Sequence, residues 1–123
     1  MPKGPEDKDK AKTLKRLRAL GGWWYSTPRS RFGASGTPDI IGCFCGRFIG
    51  LELKRFDGLG SYGVTKIQMH RLCDINDAGG IGWLINREET LERFIQVLTV
   101  VRKAWDTDNP TGRPAQAEEA HVQ

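Results

Sequence analysis

At 123 residues, 38% of them hydrophobic, the chain offers one domain's worth of sequence and enough apolar content for a single core. No apolar run approaches the ~20 residues that span a bilayer, and the charged N-terminus lacks a signal peptide's apolar stretch, so an intracellular, cytoplasmic protein without a membrane partner is expected. The net charge of +4 is uneven: four acids against Arg113 give residues 105–123 a charge of −3 and leave +7 on residues 1–104, a basic body that suits nucleic acid or, more plainly, a solvated Lys/Arg surface.

Residues 6–20 are predicted to form a helix, because Leu14, Leu17 and Leu20 recur at near-helical spacing among lysines and arginines, and Gly21-Gly22 stop it. The Lys8 to Arg18 run, with Lys12 and Lys15 in it, suits phosphate contact or a solvated face equally. Trp23-Trp24-Tyr25 reads as a short strand whose rings belong to the core rather than to a base-stacking surface. Ser26 to Gly36 interleaves turn residues with Arg29 and Arg31, which predicts a basic loop.

A hairpin follows. Cys45-Gly46 suits a two-residue turn, with glycine supplying positive φ. Partner numbers then sum to 91: Phe44 meets Arg47, Gly42 meets Ile49, Ile40 meets Leu51, and Asp39 meets Glu52. Alternation puts Lys54 on the face of Glu52, and Ile40, Phe44, Ile49, Leu51 and Leu53 on the other. After a glycine-rich loop, Thr65 opens a helix over 65–78, with Gln68 completing a capping box and His70 on its surface. Ile81 to Ile85 reads as a strand, Glu88 to Lys103 as a third helix, and the Pro/Ala/Glu-rich tail from about 106 as disordered. Residues 1–104 are thus the expected domain and 105–123 its tail. The order αβββαβα predicts an α/β fold with a mixed central β-sheet flanked by helices, the first helix close to the hairpin. Cys43, Cys45 and Cys73 are odd in number, and C-x-C with only His70 and His121 to help is not a zinc pattern.

Asp39 opposite Glu52 brings two carboxylates to Cβ distances of about 4.5–5.5 Å, which destabilises a sheet unless something positive sits between them. A hard divalent cation such as Mg²⁺ takes one or two carboxylates and leaves positions for water and phosphate. It eases deprotonation of a bound water and offsets charge on phosphoryl oxygens, while Lys54 positions that water or stabilises the transition state. These are the parts of a phosphodiester hydrolase. Each residue also has a structural alternative. Pro38-Asp39 can open a strand, Glu52 and Lys54 can form a solvated pair worth about 0–1 kcal/mol, and Glu6 can be a first-turn acid favoured by the helix dipole.

G-T-P-D at 36–39 followed by E-L-K at 52–54 resembles the PD-(D/E)xK nuclease superfamily, and more closely its VRR-NUC branch, whose stand-alone members are common in phages. Glu6, fifteen residues before Gly21, and V-T-K-I-Q at 64–68 extend the resemblance, which covers about residues 6–97. It implies an αβββαβ restriction-endonuclease-like core and a divalent-metal-dependent endodeoxyribonuclease of the host cytoplasm. Mg²⁺ is the implied cofactor, with Mn²⁺ able to substitute, and the implied substrate is a four-way junction or other branched DNA cut by a homodimer. The implied catalytic set is Asp39, Glu52, Lys54, Gln68 and Glu6, with Asp7 or Asp9 as alternatives to Glu6. Asp39, Glu52, Leu53 and Glu6 are the implied metal ligands, and Arg29, Arg31, Lys12, Lys15, Arg55 and Lys66 the expected DNA contacts. The alternative in another class is a non-catalytic nucleic-acid-binding module with a nuclease-like fold. A sequence-specific restriction enzyme would need recognition segments for which this chain has little room.

Overall fold

Lysine and arginine dominate the first helix, yet two leucines one turn apart suffice to anchor it. The computed structural model describes residues 5–28, 36–56 and 64–111. In α1 (Pro5–Ala19), Leu14 and Leu17 are buried, and the Thr13 hydroxyl donates to the Asp9 carbonyl at 2.8 Å. Pro5 opens the helix where its missing N–H costs nothing.

Four strands follow the order β1 (Trp23–Ser26), β2 (Ile40–Phe44), β3 (Arg47–Leu53) and β4 (Ile81–Ile85), hydrogen-bonded in that sequence. The first three are antiparallel, whereas β4 runs parallel to β3, a reversal that needs a crossover, here α2 (Lys66–Asp77). The β2–β3 register is the expected one, Ile40 with Leu51 and Phe44 with Arg47. Its turn holds Cys45 at φ 50° and Gly46 at φ 76°, both left-handed, as a two-residue hairpin turn of this hand requires. The architecture is therefore a mixed α/β fold of three helices and a four-stranded mixed sheet, in the predicted order.

Alternation along the strands sorts residues into two layers. Trp24, Ile40, Phe44, Ile49, Leu51, Leu53 and Ile85 face Leu14 and Leu17 of α1 and Leu91, Phe94 and Leu98 of α3 (Glu88–Asp108), forming the core. On the opposite face α2 lies close enough that a Cβ on Gly82 would fall 2.4 Å from the Leu72 carbonyl oxygen, so only glycine admits the helix there. From Ile49 to Leu53 both faces of β3 are consequently covered, and Glu52 is buried rather than solvated, whereas Arg47 and Phe48 at the start of the strand are exposed.

Three expectations shift. The third helix runs past Lys103 to Asp108, because Trp105 docks over Gly46 at the hairpin tip. Its Arg102 guanidinium lies 4.8 Å from the Phe44 ring centroid and donates to the Leu20 carbonyl at 3.1 Å. Of the expected tail, Asp106 to Asp108 are thus helical, and residues 112–123 lie outside the described residues. Among the strand aromatics, Trp24 is core, donating its indole N–H to Gly21, whereas Trp23 and Tyr25 point the other way at 58% and 46% exposure. No helix among the described residues is long and apolar enough to cross a membrane.

Candidate functional site

Strand β2 begins immediately after Pro38-Asp39, and the end of β3 has to find substitutes for the partners that β2 does not provide. Asp39 supplies one: its Oδ2 accepts from the Leu53 backbone N–H at 2.8 Å. Thr27, just past β1, holds the same segment, its N–H donating to the Asp39 carbonyl at 2.9 Å and its hydroxyl reaching the Pro38 carbonyl at 2.6 Å. The Asp39 carboxylate is thereby fixed beside the strand that carries Glu52.

Glu52 is 2% exposed, although nothing in its sequence context marks it as buried. Its Oε1 accepts from the Gln68 side-chain amide at 3.0 Å and lies 3.7 Å from Lys54 Nζ, while Oε2 is buried without a hydrogen-bond partner among the described residues. Burial first, and then the adjacent charge of Asp39, push the Glu52 carboxyl up to about 8 against a smaller downward pull from Lys54. The buried Glu52 carboxylate thus lies beside the half-buried carboxylate of Asp39 and the half-buried ammonium of Lys54. An orphaned carboxylate oxygen next to a second carboxylate is a donor set that fits an oxygen-preferring divalent cation. Among the described residues, no group of three or more His, Cys, Asp or Glu side chains adds to this pair.

Gln68 unites its two expected roles. At the third position of α2 it completes the capping box, its backbone N–H donating to Thr65 Oγ1 at 3.2 Å and its Oε1 accepting from the Thr65 N–H at 2.9 Å. The amide oxygen serves the helix end, and the amide N–H₂ serves Glu52.

The remaining candidates scatter. Leu53 enters the site through its backbone, by the bond to Asp39, its side chain being core. Glu6 lies in the first turn of α1, and its side chain is outside the described residues, as are Arg29 and Arg31. Asp9, the alternative acid, latches α1 onto the segment after β3 by accepting from the Phe56 N–H at 3.0 Å. Asp7 is exposed. Lys12 pairs with Glu88 across the α1–α3 seam, where Arg16 pairs with Glu92, so Lys12 is committed to an ion pair and not pointed at the carboxylates. Lys15 is exposed, Lys66 is exposed in the first turn of α2, and Arg55 is half-buried directly after Lys54. His70, exposed as expected, helps line a cavity of about 270 Å³ with Val64, Thr65, Lys66, Met69 and Cys73, which none of the carboxylates reaches.

Sequence reasoning missed Thr27, which carries no motif and is found only by its hydrogen bonds to residues 38 and 39. In comparisons with protein-family models, curated proteins and solved structures, nothing matches this chain, so the reading of the site stands on its own residues.

Proposed function

We propose that the chain is a divalent-metal-dependent DNA endonuclease of the VRR-NUC type, hydrolysing phosphodiester bonds in branched DNA, four-way junctions among them, as a homodimer. The observation that carries the proposal is the buried Glu52, with one oxygen unpartnered beside Asp39 and an ammonium at 3.7 Å from the other. In the absence of a cation, burial and the Asp39 charge raise the pKa of this carboxyl and favour its protonated form, a costly feature that a purely structural carboxylate avoids by facing solvent.

Asp39 and Glu52 would hold Mg²⁺ or Mn²⁺, with the Leu53 carbonyl and Glu6 as the further ligands that the family resemblance suggests. When bound, the cation supplies charge to offset that on phosphoryl oxygens and makes a water easier to deprotonate. The protein's own groups do the positioning. Gln68 fixes the Glu52 carboxylate by donating to Oε1, and the Leu53 N–H does the same for Asp39. Lys54, its side chain only 14% exposed, keeps its ammonium at the site to orient the attacking water or to meet the charge that grows on phosphorus-bound oxygens. One water is consumed per bond cut, leaving a phosphate monoester and a hydroxyl.

The test is a cleavage panel of single-stranded, duplex, flap and four-way-junction DNA in Mg²⁺, Mn²⁺ and EDTA. Asp39→Ala and Glu52→Ala should abolish metal-dependent cleavage while the fold persists. Lys54→Ala should cut turnover at least a hundredfold yet still bind cation by calorimetry, because an ammonium does not coordinate metal. Near-normal cutting by either acid variant overturns the assignment.

A further inference from the structure

Trp23 and Tyr25 lie on the same face of the sheet as the carboxylate pair. Cross-strand pairing establishes this: Trp23 opposes Cys43, which opposes Phe48, and Tyr25 opposes Ile41, which opposes Gly50. The next row is Thr27 with Asp39 and, continuing the register, Glu52. Side chains directly opposed across strands share a face; on β3 that face lies under Ile75 and Pro38 at Gly50 and under α2 at Glu52, whereas along β1 and β2 it runs from the exposed Tyr25 past the half-buried Ile41 and Thr27 to the half-buried Asp39. Strand rise puts Tyr25 about 7 Å and Trp23 about 13 Å along the chain from the row of Asp39.

This end of the surface is open. Helix α2 packs on β3 and β4, with Ile75 against Gly50, leaving Trp23 at 58%, Tyr25 at 46% and Phe48 at 49% exposure, and Cys43 exposed beside them. The Trp23 and Tyr25 rings are parallel within 3°, their centroids 5.9 Å apart. Large exposed aromatics are costly on a surface that faces only water. Charged residues are missing from these two rows, and residues 1–104 carry a sequence charge of +7, which favours a polyanion with flat apolar faces over an apolar partner.

We infer that Trp23 and Tyr25, with Phe48 beside them, form a stacking platform for unpaired nucleobases next to the scissile bond, so that the preferred substrate is branched DNA with single-stranded nucleotides at the branch. The inference deepens the nuclease proposal and rests on it for the role of Asp39 and Glu52. Bases stack on aromatic side chains without regard to sequence. Continuity with the carboxylates then lets the backbone of the same strand reach the metal-binding pair while its neighbouring bases lie on the rings.

The test separates this inference from the chemistry by measuring binding in EDTA, where no cleavage is expected. The probe is an oligothymidylate carrying one 2-aminopurine, whose emission falls when the base stacks, with anisotropy giving affinity. Trp23→Leu and Tyr25→Leu keep apolar bulk and remove the ring. Each should weaken single-strand binding by about 5- to 150-fold and abolish the 2-aminopurine quench, with duplex affinity little changed. Trp23→Phe should restore most of both. Circular dichroism checks that each variant folds, and Phe48→Leu serves as the independent variant should one of them fail. Single-strand binding and quenching unchanged in folded variants overturn the inference. So does a variant that becomes monomeric with unchanged single-strand affinity, which assigns the rings to a second copy of the chain. Either result leaves metal-dependent cleavage by the wild type intact, whereas a wild type that cuts nothing in Mg²⁺ or Mn²⁺ sinks the nuclease proposal.

Discussion

A carboxylate at 2% exposure that faces another carboxylate holds its proton far longer than a free glutamate does, and Glu52 pays that cost in the metal-free protein. The ordinary value is 4.5 and the folded one about 8, so between them the folded state binds more protons than the unfolded state. The stability contributed by protonated Glu52 is therefore fully present below about 4.5 and is lost as pH rises through about 8. One proton limits the slope to about 1.4 kcal/mol per pH unit. In EDTA, the stability of the wild type relative to Glu52→Gln should fall across that window in urea titrations. Saturating Mg²⁺ should reverse the trend, because the cation binds the ionised pair and the unfolded chain does not. A wild-type-minus-variant difference that stays flat with pH in EDTA would show that burial and Asp39 do not raise the Glu52 pKa.

At the scale of elements, the hairpin was legible because its determinants are local. Cys45-Gly46 sets the turn, period-two alternation sets the faces, and together they bring Asp39 and Glu52 to adjacent strands. The capping box at Thr65 was equally local, and so was the order of elements. What escaped depends on contacts between distant segments. Trp23 and Trp24 are neighbours in one strand, and only the covering of one sheet face by α1 and α3 decides which is core. The end of α3 depends on Trp105 meeting the turn at Gly46, 59 residues upstream, rather than on its own acidic sequence. The strand left open whether Glu52 and Lys54 form a solvated pair, because α2's position over β3, which buries Glu52, is invisible in the strand. Helix α2 therefore does two jobs through Gln68, and substitutions can separate them. Thr65→Ala should cost about 1 kcal/mol of stability by loss of the cap, with cleavage falling only a few-fold. Gln68→Glu can still close the capping box, yet it turns the donor to Glu52 into a third carboxylate. It should melt within a few degrees of wild type and lose at least tenfold in cleavage at neutral pH. Wild-type cleavage by Gln68→Glu would show that the hydrogen bond to Glu52 has no part in the reaction.

At the scale of the whole molecule, the Asp39–Glu52 pair gives each chain one proposed site among the described residues, and that sets how many cuts a chain makes. One site makes one incision, whereas separating a four-way junction takes two symmetric incisions, which a two-fold dimer supplies naturally. Part of the basic charge is already spent: Lys12 and Arg16 neutralise Glu88 and Glu92 across the α1–α3 seam, which holds the two helices together on the core side of the sheet. Lys15, Lys66 and the arginines at 29 and 31 are left as the expected backbone contacts, and the number of phosphates they neutralise is read from salt dependence. The logarithm of affinity should fall linearly with the logarithm of salt, with a slope near −0.9 per duplex phosphate contacted. Replacing Lys12 should leave that slope unchanged, whereas Lys66→Ala should lower its magnitude by about 1. Light scattering should give a homodimer at micromolar concentration, binding a four-way junction more tightly than linear duplex and nicking two opposed strands. A monomer that cuts junction and duplex equally would remove the dimer and its substrate preference, and the chemistry assigned to Asp39, Glu52 and Lys54 would stand without them.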